Sequence, residues 1–318
     1  MNSIMLDGQP TFSIIAPCHN EELVLHELHK RIREVMDTTG EPWELVLVND
    51  GSKDKTAEII AALNATDPRV KGLSFSRNYG FQVAVTAGLD YASGKAVALI
   101  DADLQDPPEV ILDMIKKWRE GFDVVYGVRG ERDGETWFKK WSAALFYRLI
   151  RAITNVNIPV DTGDFRLMDR RVVDALKKMP ERHRFIRGMV SWVGFKQTGV
   201  TYKRAPRFAG STNFTLVKMM RLAWDAITSF SYFPLQAATY LGFIIAGLSA
   251  VMIVVVAALR LFGNSNFFFG QATTLVMVLF LGAIQLICLG VIGEYLGRIY
   301  DEVKGRPLYL VAQKWGLD

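Results

Sequence analysis

The chain has 318 residues, of which 50% are hydrophobic, and a formal net charge of +4. This length allows one large domain with an appendage, and the mean hydropathy of +0.16 is high for a water-soluble protein. The small positive charge is too weak to indicate nucleic-acid binding, although it suits an anionic membrane surface. The two cysteines, Cys18 and Cys288, form no disulfide framework and fit a reducing compartment.

Residues 1–165 alternate between strand-like and helix-like patterns. Apolar runs predict strands at Phe12–Ala16, Leu45–Val48, Val70–Phe75, Ala96–Ile100 and Val124–Tyr126. Helical periodicity fills the gaps at about 21–37, 54–64, 80–92 and 109–120. This alternation predicts a parallel, doubly wound α/β sheet, in which ligands bind beyond the carboxyl ends of the strands.

A polar cluster follows each of the first four predicted strands. The clusters occupy residues 17–21, 49–52, 76–78 and 101–103. Because the carboxyl ends of parallel strands meet at one edge of a sheet, we expect the clusters to converge there. The first strand is not followed by G-x-G-x-x-G, and G-x-x-x-x-G-K-[ST] does not occur, so the sequence disfavours a dinucleotide site or a P-loop.

Asp101 and Asp103 stand one residue apart, directly after the fourth predicted strand. Side chains at i and i+2 of a strand share a face, so these carboxylates repel each other unless a cation lies between them. Mg2+ and Mn2+ prefer oxygen ligands and commonly bridge carboxylates to substrate phosphates, and Gln105 adds an amide oxygen. A solvated acidic turn is the alternative for an isolated D-x-D, but the neighbouring polar clusters favour a metal site.

Two stretches near the C-terminus, 226–259 and 261–293, contain no charged residue. Each exceeds the roughly 20 apolar residues that cross a bilayer, so we predict membrane spans at about 235–259 and 273–292. Buried core helices are the alternative, but such helices rarely run this long without a charged face. Residues 216–233 form a predicted amphipathic helix at the inner membrane surface, although an ordinary surface helix fits nearly as well.

Most basic residues near the predicted spans lie on one side, and only Arg260 marks the edge of the loop between the spans. Those on the one side are Lys218 and Arg221 before the first span, and Arg298, Lys304 and Arg306 after the second. The positive-inside rule then places both termini in the cytoplasm and the short loop between the spans outside. The predicted layout is a cytoplasmic domain at 1–215, the amphipathic helix at 216–233, the membrane region at 234–299 and a cytoplasmic tail at 300–318. The N-terminus shows no signal-peptide pattern.

Five motifs occur together in one order along the chain. They are P-C-H-N-E-E at 17–22, N-D-G-S-K-D-K-T at 49–56, R-N-Y-G at 77–80, D-A-D-L-Q-D-P-P-E at 101–109 and R-F-A-G-S-T-N at 207–213. Together they resemble the polyprenyl-phosphate glycosyltransferases of glycosyltransferase family 2, which include dolichol-phosphate mannosyltransferase. The two spans and T-G-D-F-R-L-M at 162–168 resemble the bacterial bactoprenol glucosyltransferases.

This resemblance implies a GT-A fold and an inverting transfer to a lipid phosphate. The expected donor is UDP-glucose, and the expected acceptor is undecaprenyl phosphate at the cytoplasmic face of the plasma membrane. The product would be a polyprenyl-phosphate sugar used in cell-surface glycan modification. Mannose, N-acetylglucosamine, galactose or an aminoarabinose derivative stays open as the sugar, and we expect a homo-oligomer.

The resemblance also implies roles for individual residues. It places Pro17, His19, Glu21, Asp50, Asp101 and Ala102 at the nucleotide. It assigns Asp101, Asp103 and Gln105 to the metal, Mg2+ or Mn2+, with Asp103 counted as catalytic. Asp164, or less favourably Asp161, is the candidate general base or orienting carboxylate. Arg129 and Arg207 match family arginines for the acceptor phosphate, and Arg132, Lys139 and Lys140 are neighbouring basic candidates. For the two lysines, contact with anionic lipid headgroups is equally open.

Three other interpretations compete with a lipid-phosphate glycosyltransferase. A processive polysaccharide synthase would need more spans and a Q-x-x-R-W motif, and the sequence has neither. A non-catalytic nucleotide-sugar-binding membrane partner would have no need of the intact D-A-D-L-Q set. A flippase would need more than two spans in one chain. The basic stretch of Arg182, Arg184 and Arg187 is interpreted as contact with the membrane surface.

Overall fold

The computed structural model describes residues 9–130, 162–205, 228, 231–262 and 271–317. These residues fall into two compact units: one takes in the described residues up to 205 together with 306–317, and the other takes in 228 and the described part of 231–305. Most of the predicted amphipathic helix lies outside the described residues. So do five candidate site residues, namely Arg132, Lys139, Lys140, Asp161 and Arg207.

The first unit is built from strands and helices that largely alternate along the chain. In order they are β1 (Phe12–Cys18), α1 (Leu25–Asp37), β2 (Trp43–Asn49), α2 (Thr56–Thr66), β3 (Val70–Phe75), α3 (Phe81–Tyr91), β4 (Ala96–Leu99), α4 (Val110–Arg119), β5 (Val124–Arg129), β6 (Thr162–Asp169), α5 (Arg170–Lys177), α6 (Ile186–Trp192), β7 (Gln197–Tyr202) and, after the second unit, β8 (Val311–Trp315). All five predicted strands and all four predicted helices are confirmed, with ends shifted by a few residues.

One eight-stranded sheet joins these strands in the order β7-β5-β6-β4-β1-β2-β3-β8. The neighbours β3, β2, β1 and β4 run parallel, as the helical crossovers between them require. The prediction of a wholly parallel sheet is wrong, because β6 inserts antiparallel between β4 and β5. β5 still runs in the direction of β4, since α4 carries the chain across the sheet between them.

The expected C-terminal tail is the second difference. Residues Val311–Trp315 form β8 and pair antiparallel with β3, so the end of the chain closes one edge of the sheet. No alternation in the short run V-A-Q-K-W predicts this strand, and its burial pattern is mostly exposed. An edge strand that packs on one side needs little apolar patterning, which explains why no sequence pattern indicates β8.

Burial explains why the centre of the sheet forms where it does. Every residue of β1 and of β2 is buried, as expected for parallel strands covered by helices on both faces. α1 presents Leu25, Leu28 and Ile32 to the core at a spacing of three to four residues. The packed core therefore holds the strands in place, and the strands in turn position the loops at their carboxyl ends.

The second unit contains two long apolar helices, α7 (Phe233–Phe262) and α8 (Gln271–Val303). Each is long and apolar enough to cross a membrane, over Phe233–Met252 with mean hydropathy 1.6 and Val276–Val303 with mean hydropathy 2.5. Large apolar side chains on both helices are exposed, which suits hydrocarbon better than water. The predicted spans are thus confirmed as helices, whereas their topology stays a prediction.

Gly51, in the turn after β2, has a backbone conformation and a packing environment that both require glycine. Its φ is +60°, and a Cβ there would lie 2.4 Å from the Arg77 carbonyl carbon. Gly40 shares the left-handed conformation, with φ +66°, but faces open space. Gly40→Ala is therefore expected to cost only the backbone strain of about 1–2 kcal/mol. Gly51→Ala adds an overpacking cost of about 1–3 kcal/mol.

Thermal unfolding of the two variants in detergent tests this difference. We expect Gly51→Ala to lower the melting temperature clearly more than Gly40→Ala does. Equal shifts would mean that the close approach between the turn after β2 and residues 77–78 does not constrain the fold.

Candidate active site

A cavity of about 400 Å³ opens at the carboxyl ends of β1 to β4. Each of the four predicted polar clusters, or the residues directly beside it, contributes to its wall. The lining residues are Pro17, Cys18, His19, Glu21, Asp50, Asn78, Gly80, Phe81, Asp101, Ala102 and Asp103. The predicted convergence of the clusters is therefore confirmed. Gln105 lies outside this set of described lining residues.

Asp50 shapes the wall of the cavity through the backbone of the next loop. Its carboxylate is buried and accepts hydrogen bonds from the Tyr79 N–H at 2.7 Å and the Gly80 N–H at 2.9 Å. The Asp50 carbonyl oxygen accepts from His19 Nδ1 at 2.9 Å. These bonds hold residues 79–80 at the start of α3. The predicted contact of Asp50 and His19 with a nucleoside stays a prediction, because the structure shows only these internal bonds.

The motifs after β1 and β2 hold each other through side-chain-to-backbone hydrogen bonds. The Asn20 N–H donates to Ser52 Oγ at 2.9 Å, and the Lys53 N–H donates to Asn20 Oδ1 at 2.9 Å. The Glu21 N–H donates to Thr56 Oγ1 at 2.9 Å. Asn20 has φ 59°, a left-handed conformation that asparagine tolerates better than most residues. These hydrogen bonds therefore give the two motifs a structural role in the cavity wall, in addition to any contact with a ligand.

Residues 101–106, here called the carboxylate loop, place Asp101 at the cavity with its Oδ1 atom buried. That oxygen has no hydrogen-bond partner among the described residues. Burial and the neighbouring carboxylates of Asp164, Asp106 and Asp103 raise the pKa of Asp101 to about 7, against the opposing effect of Arg187. This oxygen is buried, lacks a hydrogen-bond donor and lies near other carboxylates. Such an arrangement is expected of a site that binds a cation.

A metal at this position would need ligands from outside the protein. No three His, Cys, Asp or Glu side chains of the described residues come together as a metal cage. Asp101 and Asp103 offer carboxylate oxygens at the cavity, which suits a hard cation that takes its other ligands from phosphate or water. Asp103 Oδ1 also accepts from the Gln105 N–H at 3.1 Å, which helps to fix the loop. The residues present therefore fit Mg2+ or Mn2+ bound together with a diphosphate.

The antiparallel strand β6 brings Asp164 to the same edge. Leu99, two residues before Asp101, pairs with Arg166, two residues after Asp164, and the Asp164 carboxylate is near enough to raise the pKa of Asp101. Asp164 is 6% exposed and binds the Arg187 guanidinium through two contacts, Nε to Oδ1 at 2.9 Å and Nη2 to Oδ2 at 2.7 Å. Burial raises the pKa of Asp164, but Arg187, Arg166 and Arg129 outweigh burial and hold that pKa below its ordinary value.

Arg187 and Arg184 make contacts within the protein that the sequence does not predict. The interpretation of this basic stretch as membrane-surface contact stays a prediction. Arg187 is ion-paired with Asp164, and Arg184 donates from Nε to the Glu181 carbonyl at 3.0 Å and from Nη2 to the Met179 carbonyl at 2.6 Å. Arg187 is thus a site residue that sequence reasoning missed. No local signal exists for a pair formed between β6 and α6, 23 residues apart.

Arg129, the last residue of β5, lies against β6 where the chain has a glycine. A Cβ at Gly163 would approach Arg129 Nη2 to 2.7 Å, so the glycine makes room for the guanidinium. Arg129 Nε is buried and has no hydrogen-bond partner among the described residues. A buried guanidinium donor near the cavity carboxylates suits an anionic ligand. The predicted contact with an acceptor phosphate stays a prediction.

Comparison with known proteins places this geometry in a family. Residues 13–177 match the model described as glycosyl transferase family 2. The chain belongs to glycosyl transferase family 2. The expected GT-A fold, with its mixed sheet and flanking helices, is thereby confirmed.

Relatives align over nearly the whole length of this family 2 glycosyltransferase. The uncharacterized glycosyltransferase YkcC of Bacillus subtilis is 54% identical, over 96% of this chain and 95% of that protein. The bactoprenol glucosyl transferase of Shigella phage SfII is 46% identical, over 95% of this chain and 97% of that protein. A solved glucosyl-3-phosphoglycerate synthase from Mycobacterium tuberculosis, in complex with Mn2+, UDP and phosphoglyceric acid, is 19% identical with a TM-score of 0.49, over 70% of this chain and 77% of that one. A structural likeness this distant bears on neither substrate nor metal.

The Arg187–Asp164 pair gives a prediction about stability. Arg187→Met leaves the buried Asp164 carboxylate without its bidentate partner, and breaking a buried pair from one side typically costs about 3–5 kcal/mol. The double variant Asp164→Asn/Arg187→Met removes both charges and is expected to be more stable than Arg187→Met alone. Arg31→Met is the control, because Arg31 Nη2 contacts Glu109 Oε2 at 2.7 Å in a pair whose carboxylate is 53% exposed.

Thermal unfolding of the four proteins, including the wild type, measures the effect. Arg31→Met is expected to cost no more than about 1 kcal/mol, as for other exposed pairs. If Arg187→Met lowered the melting temperature no more than Arg31→Met, the buried pair would not be a main support of the site.

Proposed function

We propose that this glycosyltransferase transfers glucose from UDP-glucose to undecaprenyl phosphate, with inversion at the anomeric carbon. The observation that carries the proposal is the 46% identity to a bactoprenol glucosyl transferase over 95% of the chain. The cavity at the carboxyl ends of β1 to β4, with its paired carboxylates, supports a phosphate-bearing donor. The product is a polyprenyl-phosphate glucose, formed on the cytoplasmic face of the membrane for use in cell-surface glycan modification.

On the donor side, the nucleotide lies along the wall made by Pro17, His19, Glu21, Asp50 and Ala102. Asp101 and Asp103, with Gln105 beside them, would hold Mg2+ or Mn2+. Such an ion would supply Lewis-acid stabilisation of the charge on the leaving nucleoside diphosphate. The carboxylates contribute by fixing that charge before the reaction begins, so little reorganisation is needed as the bond breaks.

On the acceptor side, the nucleophile is a phosphate monoester whose second pKa is about 6, so it is largely dianionic at neutral pH. One phosphate oxygen forms the new bond to the anomeric carbon while the bond from that carbon to the diphosphate oxygen breaks. The electron pair of the broken bond leaves with UDP. Arg129 and Arg207 hold the acceptor phosphate by bidentate hydrogen bonds, with Arg132, Lys139 and Lys140 as further basic candidates.

Asp164 is proposed to act by orientation. A carboxylate whose pKa lies below its ordinary value is a weak base, and Arg187 occupies both of its oxygens. The acceptor is already ionised, so proton removal adds little to the rate. Asp164 instead keeps Arg187 and, through the shared charge cluster, Arg129 in position beside the reacting groups. Asp161 stays a candidate for the same role.

The membrane arrangement is proposed to follow the predicted layout, with a catalytic domain at 1–215, an amphipathic helix at 216–233 and two spans within 234–299. β8 follows α8 in the chain and belongs to the same sheet as β1 to β7. Two crossings return the chain to the side from which it left, which supports a catalytic unit and both chain ends on the cytoplasmic face. The homo-oligomer stays a prediction.

A transfer assay read by mass spectrometry tests the proposed function. The detergent-purified protein is incubated with undecaprenyl phosphate, Mg2+ or Mn2+, and a panel of UDP- and GDP-sugars. We expect a lipid-phosphate hexose from UDP-glucose, with no product after EDTA treatment. Another sugar as the only productive donor would move the assignment to a mannosyl, N-acetylglucosaminyl or aminoarabinosyl transferase.

Asp103→Ala is expected to abolish transfer, because it removes one of the two carboxylates that hold the metal on the diphosphate. Asp113→Ala is the matched control, since Asp113 is an exposed residue of α4 that pairs with Lys116 at 2.8 Å. Near-normal turnover of Asp103→Ala with metal present would overturn the metal assignment. If no donor gave product although UDP bound tightly with metal, the chain would fit a non-catalytic nucleotide-sugar-binding partner.

A further inference from the structure

Tyr202, the last residue of β7, has a ring that is fixed on both sides. It is 6% exposed and packs edge-on against Phe165 with ring centroids 5.6 Å apart. Gly127 leaves room for the ring, because a Cβ there would lie 2.7 Å from Tyr202 Cε1. With the ring held in this way, its hydroxyl has one well-defined position.

The hydroxyl of Tyr202 reaches the carboxylate loop. It donates a hydrogen bond to Oδ1 of Asp106, a carboxylate with 0% exposure at the end of that loop. Two further contacts join the same segments: Arg204 Nε lies 3.6 Å from Asp106 Oδ1, and the Ala205 N–H donates to the Gln105 carbonyl at 2.9 Å. The carboxylate loop is therefore tied to the end of β7.

The same hydroxyl also meets Arg129. Arg129 and Tyr202 are register partners in the parallel strands β5 and β7, so their side chains lie on the same face. The Gly130 N–H donates to the Tyr202 carbonyl at 2.9 Å, which fixes the backbones together at this point. Burial and Asp106 raise the pKa of the hydroxyl, while the nearby positive charge of Arg129 lowers it.

A tyrosine hydroxyl suits this position because it donates one hydrogen bond and accepts another. Asp106, an anion, accepts the hydrogen bond from the hydroxyl, and the lone pairs of the hydroxyl oxygen suit Arg129, a cation on the neighbouring strand. Phenylalanine would fill the same space without a group for either partner.

We propose that Tyr202 is a positioning residue whose hydroxyl bridges the carboxylate loop to Arg129, and so sets the spacing between the donor diphosphate and the acceptor phosphate. This inference rests on the proposed function for the roles of the two groups that the bridge joins. Reaction requires the attacking oxygen and the anomeric carbon to approach within a narrow range, and a misplacement of about 1 Å can cost on the order of a hundredfold in rate. A rigid bridge between the two binding groups limits such misplacement.

Tyr202→Phe is the direct test, with Tyr309→Phe as its matched control. The Tyr309 hydroxyl also donates to a carboxylate, Asp90 Oδ2 at 2.9 Å, but Tyr309 precedes β8 at the opposite edge of the sheet from β7. We expect Tyr202→Phe to raise the KM for undecaprenyl phosphate and to lower kcat, with kcat/KM falling about tenfold to a hundredfold. Its Kd for UDP with Mn2+ is expected to stay within about threefold of the wild type, because Asp101 and Asp103 are unchanged. Tyr309→Phe should leave all three quantities unchanged.

A second measurement does not depend on transfer. The melting temperatures of Tyr202→Phe, Asp106→Asn and the double variant form a cycle, and residues in direct contact are expected to give non-additive effects. Additive effects would overturn the bridge. A wild type that transfers sugar, together with a Tyr202→Phe variant as active as Tyr309→Phe, would also overturn it. A wild type that transfers no sugar would refute the proposed function. The cycle of melting temperatures would then decide by itself whether the bridge exists.

Discussion

Carboxylates crowded at one edge of the sheet are the constraint on which the rest of the site depends. Asp103, Asp106 and Asp164 all act on Asp101, and together with burial they raise its pKa. Such crowding destabilises a fold unless cations offset it. Guanidinium groups offset the charge of Asp164, whereas the buried Oδ1 of Asp101 has no hydrogen-bond partner among the described residues. The proposed metal-diphosphate would relieve this repulsion by adding a cation beside Asp101.

The direction of β6 decides whether this cluster exists at all. Strands that run parallel to β4 end at the cavity edge, so their first residues lie at the opposite edge. β6 runs antiparallel and begins at Thr162, which brings Asp164 to this edge of the sheet at the start of the strand, near enough to Asp101 to raise its pKa. The same reversal lets Arg166 and Arg129 lie beside Asp164. The single antiparallel strand in the centre of the sheet therefore brings Asp164 and its arginine partners close to Asp101.

The parts that sequence predicted are those with a local signature. Apolar runs of three to six residues predict β1 to β5, and the polar residues after the first four strands predict the cavity, because parallel strands bring their carboxyl ends together. The Arg187 pair and the Tyr202 bridge join residues 23 and 96 positions apart, and no local period records such contacts. One signal was available: Asp164 and Arg166 alternate in T-G-D-F-R-L-M, so a strand there places opposite charges on one face.

The segment D-A-D-L-Q-D contains residues that line the cavity and residues that hold the segment in place. Asp101, Ala102 and Asp103 line the cavity, whereas Leu104 and Asp106 are buried at 2% and 0% exposure. Leu104 packs in the core even though its φ of 57° is unfavourable for a leucine, so the turn between the two halves is held under strain. Asp106 anchors the buried face to Tyr202. The core-facing residues therefore set the positions of the cavity-facing carboxylates, and a substitution on the buried face should act on the reaction without touching substrate.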